Sequence, residues 1–203
     1  MQKYIGLDSG LYRTLSLVFD LMILNFWFIL TSVPIVTLGA SISAAYSVAI
    51  KLVNNDAVSI KGDYLEAFKR NFKKSTVVFL SNSLIMLVIG AVIIGVNLEL
   101  AKLPLLVVVA VLLLLSEIVY PLITLYDGTV KELYHFSIGI TLQYLIYLVV
   151  SFILTLGFLA FPIYFIKLSF LWLMLGGGLL IYLKAKVINP LLIKLNLIQV
   201  EEN

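Results

Sequence analysis

Leu103–Leu125 reads LPLLVVVAVLLLLSEIVYPLITL, uncharged except for the carboxylate of Glu117. A helix that crosses about 30 Å of hydrocarbon needs roughly 20 consecutive apolar residues, and this run has that length. Similar blocks recur on both sides of it, at about Thr14–Val36, Thr76–Asn97, Ser137–Ala160 and Ile163–Leu183. The blocks read as helices, because a segment in lipid must satisfy its own backbone hydrogen bonds. Membrane strands would alternate apolar and polar residues, and Leu105–Leu115 does not.

Composition agrees with this reading. Of 203 residues, 62% are hydrophobic and 12% charged. Mean hydropathy is +1.12. A soluble domain carries about twice that share of charge. The class is therefore all-α, a polytopic transmembrane helix bundle forming one integral membrane domain over residues 1–203. The first block, Leu15 to about Val36, is longer than the apolar core of a cleavable signal peptide. With no cysteine, disulfides, thiolate metal sites and Cys nucleophiles are excluded. The net charge of +3 does not point to nucleic acid, because the cations flank apolar blocks instead of forming one basic face.

Leu38–Val53 leaves the span count open. Sixteen residues of helix reach only ~24 Å, short for a crossing. The segment is either a short span, a re-entrant piece or a cytoplasmic helix. Its small residues four apart (Gly39 and Ser43, Ala40 and Ala44, Ala45 and Ala49) suit close packing on a neighbour. Positive charge chooses between six spans and five. With six spans and both termini inside, every Lys and Arg except Lys102 and Lys167 is cytoplasmic. With five, Lys3 and Arg13 join the outer side. Six is preferred.

Residues 54–75 form the one long polar stretch. Asp63 followed by Glu66 resembles a capping box, so a helix is expected to start there. Tyr64, Leu65, Phe68 and Phe72 fall on one side, and Lys69, Arg70, Lys73 and Lys74 cluster toward the following block. This reads as a cytoplasmic basic amphipathic helix lying on an anionic surface, aromatics dipped in and cations toward headgroups.

Chemistry has few places to sit. A carboxylate in mid-span costs about 2.5–3.5 kcal/mol to insert, so Glu117 needs a partner, water or a proton. It is either a proton- or substrate-binding group, or one end of an interhelical hydrogen bond. Asn25, Asn82 and Gln143 are intramembrane amides of the kind that join helices. His135, the sole histidine, is expected in a solvated loop and makes no metal site. Gly176, Gly177 and Gly178 lack the context of a phosphate loop and suit close packing or a bend. No hydrolase or metalloprotease motif is present, so the expectation is a non-enzyme without cofactor.

Several stretches resemble the YesL family of bacterial membrane proteins. They are Gly10-Leu-Tyr-Arg-Thr-Leu, Asp20-Leu-Met-Ile-Leu-Asn25-Phe-Trp27, Pro34-Ile-Val-Thr-Leu-Gly39-Ala, Ala45-Tyr46, Ala67-Phe-Lys-Arg-Asn-Phe-Lys-Lys-Ser75, and Tyr120-Pro121-Leu122 with Asp127. The N-terminal half carries the specific part. Members of that family are often encoded beside carbohydrate ABC importers and sensor kinases. The resemblance implies an accessory protein of carbohydrate uptake in the bacterial plasma membrane, in contact with lipid and with importer permease subunits. It supplies no catalytic residues. The competing expectation is an independent small-solute transporter or channel that uses Glu117, Asn25 and Asn82.

Overall fold

The computed structural model describes residues 10–95 and 99–198, with side chains at all of these except 99–101. Seven helices follow in order: α1 Gly10–Ser32, α2 Leu38–Val53, α3 Ile60–Gly95, α4 Glu99–Leu125, α5 Val130–Gln143, α6 Leu145–Tyr164 and α7 Ser169–Lys194. Short 3₁₀ turns at Ile35–Thr37 and Ile166–Leu168 close the α1–α2 and α6–α7 connections. No strand occurs among the described residues. Six helices are long and apolar enough to cross a membrane, Ile35–Val53 among them; α5 is the seventh and shorter one. The polar lead before Gly10, with Lys3, and the extreme C-terminus lie outside the described residues.

α2 is the hub and packs on α1, α3, α4 and α7. Gly39, Ala40, Ser43, Ala44 and Ala49 are all buried, so the small-residue faces are spent inside the chain. α2 and the first part of α3 run antiparallel. Ser43 and Ser75 share a hydrogen bond of 2.8 Å, and Lys51 pairs with Asp63 at 2.8 Å. At Gly39 any Cβ would strike the Ser75 carbonyl and the Phe79 side chain, which is why the approach requires glycine there. Two helices stop in the same way. Asn55 and Asn196 take left-handed φ of 59° and 54°, and each closes a Schellman turn: Asp56 N–H to the Lys51 carbonyl, Leu197 N–H to the Leu192 carbonyl.

Three boundaries differ from the sequence expectation. First, the basic aromatic segment is no separate surface helix. It is the opening of α3, a single helix of 36 residues, ~54 Å long. Its face of Ile60, Tyr64, Ala67, Asn71, Ser75 and Val78 is buried. Protein, not lipid, therefore covers Tyr64. Second, the expected span Ser137–Ala160 is divided. Tyr144 leaves helical geometry (φ −125°, ψ 36°), and Ser137 belongs to α5. A capping box fixes the start of α5, with Glu132 N–H to the Thr129 hydroxyl and Thr129 N–H to the Glu132 carboxylate. His135 is thus an exposed residue of this helix, not of a loop. Third, the last turn lies at Ile166–Leu168, Pro162 sits within α6, and α7 continues to Lys194.

Candidate functional site

The charge of Glu117 is met inside the chain. Its Oε2 lies 2.7 Å from Lys184 Nζ on α7. Ser151 Oγ on α6 donates to the same oxygen at 2.5 Å, and Thr155 Oγ1 donates to Oε1 at 3.3 Å. Lys184 Nζ also donates to Thr155 Oγ1 at 3.1 Å, which closes the ring of contacts. The Glu117 and Lys184 side chains are only 6% and 11% exposed, so solvent screens the pair little. Ser151 and Thr155 stand four apart, one helical turn, on one face of α6. Pro121 has no N–H to give the Glu117 carbonyl one turn back, so the helix ladder of α4 is open at that residue. Tyr46 of α2 is also buried, and its hydroxyl has no hydrogen-bond partner among the described residues.

The amides play different parts. Asn25 ties α1 to α7: its Nδ2 donates to the carbonyls of Leu173 (2.8 Å) and Met174 (2.9 Å), and Gly178 N–H donates to its Oδ1 at 3.1 Å. The three glycines make room for this contact. A Cβ at Gly176 would meet Phe158, one at Gly177 would meet Asn25 and Phe28, and one at Gly178 would meet the Leu21 backbone. Close packing is thus their role. Asn82 accepts from Tyr134 Oη at 2.7 Å and joins α3 to α5. Burial raises the Tyr134 phenol above its usual range, while its bonds to Ser81 and Asn82 pull the other way. Gln143 is exposed at the end of α5 and joins nothing in the interior. Glu117, Asn25 and Asn82 therefore do not share one site; each links a different set of helices.

The basic segment is split by the helix surface. Lys69, Arg70 and Lys73 are exposed, and Arg70 is 4.0 Å from Glu66 one turn back. Phe72 is 40% exposed. Phe68 is partly buried between Tyr64 and Phe72, with ring centroids at 6.4 and 5.5 Å. Lys74 faces inward and donates to the Tyr126 carbonyl at 2.7 Å. Two cavities, of about 470 and 500 Å³, flank the first half of α7. Apolar chains of α6 and α7 line one; α1 and α7 line the other, where Asn25 is the single polar residue. Among the described residues no cluster of metal-ligating side chains occurs.

The sequence reading missed Lys184, Ser151 and Thr155. Lys184 follows the last apolar block and reads as a loop cation. The only local signal was the Ser151–Thr155 pair on one face of an otherwise apolar span.

Fold and site define a polytopic helical membrane protein with an internally neutralised ionic centre. A family model described as a protein of unknown function, DUF624, matches residues 21–97. That stretch covers the second half of α1 and all of α2 and α3; it holds Asn25, Gly39, Tyr46 and Ser75, and stops before Glu117. No curated protein and no solved structure matches the chain.

Proposed function

We propose that this chain is a non-enzymatic accessory protein of the bacterial plasma membrane, working with the permease subunits of a carbohydrate ABC importer. The carbohydrate link rests on the resemblance to the YesL family; the matched family model carries no function. The observation that carries the reading is the division of α3. One face is locked onto α2, and the other presents Lys69, Arg70 and Lys73 outward, with no ion pair for either lysine among the described residues. That face suits an acidic surface of a partner. Internal pairing of Glu117 with Lys184 weighs against a carboxylate that carries solute, since its charge is already spent.

Co-purification from mild detergent at endogenous expression tests the proposal. The permease subunits should accompany the chain, and replacing Lys69, Arg70 and Lys73 together by Gln should weaken the association. Lys74 is left in place because its ammonium holds the Tyr126 carbonyl. A chain that purifies alone, with sugar uptake unchanged in a deletion strain, ends the accessory reading. Solute movement in vesicles by the chain alone would put an independent transporter in its place. The orientation that goes with the proposal has both termini cytoplasmic. Single cysteines at Lys61 and Lys186 should then resist an impermeant thiol reagent in intact cells, and cysteines at Lys102 and Lys167 should react.

A further inference from the structure

We infer that Glu117 and Thr155, with Ser151 holding the carboxylate, form an oxygen-lined site for one monovalent cation, and that the ammonium of Lys184 occupies it from within the chain. Two observations carry this. The ammonium contacts Glu117 Oε2 at 2.7 Å and Thr155 Oγ1 at 3.1 Å. Ser151 Oγ donates to that same carboxylate oxygen, and the Thr155 hydroxyl has its hydrogen directed to Glu117 Oε1 or the Ser151 carbonyl, which leaves its lone pairs for the cation.

The charge arithmetic sets the class of ligand. One carboxylate among neutral hydroxyls balances one positive charge, so the native occupant is monovalent. Hard cations take oxygen ligands of these kinds, carboxylate and hydroxyl, and the site offers no nitrogen or sulfur besides the lysine itself. In ion-coupled membrane proteins such a carboxylate exchanges its ion with water. Here the ion is tethered to α7 and cannot leave. The site thereby holds α4, α6 and α7 together, and the chain does not couple to a free cation. This inference stands on the ionic centre alone and is independent of the accessory reading.

The test is the thermal stability of the full chain in detergent, in choline, sodium or potassium chloride at equal ionic strength. Wild-type Tm should be the same in all three salts. Lys184→Met leaves the carboxylate and hydroxyls in place and opens the room the ammonium filled. Its Tm should be lower in choline and should rise with sodium or potassium concentration, as mass action requires of a ligand that binds the folded state. Adding Thr155→Val to Lys184→Met should diminish the rise, and Glu117→Gln with Lys184→Met should abolish it. Lys184→Gln, which keeps a donor for Thr155, serves where the methionine variant fails to insert. Two results overturn the inference. One is a lysine variant whose Tm ignores the alkali cation and rises only as pH falls, because a proton then neutralises Glu117. The other is a wild-type chain stabilised by sodium or potassium over choline, because Lys184 would then not be the occupant.

Discussion

The hub around α2 and the far half of the α3–α4 hairpin are both apolar and helical and behave in opposite ways. The most apolar window of α3 has mean hydropathy 2.6, yet 6% of it is buried in protein; the window over Ile35–Val53 has 1.6, and 56% of it is buried. In water the more apolar helix would be the inner one. In lipid there is no gain from hiding Leu or Val behind protein, so helices associate through small residues and polar contacts. α2 supplies both, and it is drawn to the centre. α3 packs on it as far as Phe79 and then runs on to Gly95, ~24 Å farther. Along that extension Leu84, Leu87, Val88 and Ile94 are bare, as are Leu103, Leu106 and Val107 on α4.

Substitutions should report this contrast, most strongly at the ionic centre. Glu117→Ala or Lys184→Ala alone leaves a buried charge without its partner and should cost about 3–5 kcal/mol. Glu117→Leu combined with Lys184→Met should recover most of that loss. A denaturation cycle on the four proteins in detergent measures the coupling, and additive losses would show that the pair does not hold α4 to α7. Glu117→Gln belongs with the damaging changes, since it strands the ammonium.

Glycines offer a sharper comparison with smaller effects. Gly39→Ala places a methyl against the Ser75 backbone and should destabilise by about 1–3 kcal/mol, the usual cost of overpacking. Gly90→Ala, on the bare part of α3, meets nothing within 4 Å and should stabilise by up to ~1 kcal/mol through helix propensity. Equal responses at the two positions would erase the distinction between hub and hairpin.

Asn25→Leu removes three bonds between α1 and α7 and should cost about 1 kcal/mol, in the range measured for polar contacts between membrane helices. The smallest change is expected on the exposed face of α3. Lys69, Arg70 and Lys73 to Gln should leave stability within the scatter of surface substitutions, about 0.5 kcal/mol each, and should alter only association.

The sequence by itself determined the helical membrane class, five apolar segments long enough to span, and the small-residue character of α2, whose place as a sixth it left open. It could do so because hydrocarbon thickness and backbone satisfaction act on each segment separately, and a run such as Leu105–Leu115 has one physical solution. It also marked Glu117 as a residue in need of a partner. Which partner was a matter of tertiary structure. Lys184 is far from Glu117 along the chain, and the contact exists because α4, α6 and α7 bring their residues to one depth. The same holds for Tyr64. Its helical face was legible, but a face suited to an interface is equally suited to a neighbouring helix. α2, bearing Gly39 and Ser43 at the right spacing, took that place before lipid did, because close backbone approach and the Ser43–Ser75 bond are gains that lipid cannot offer.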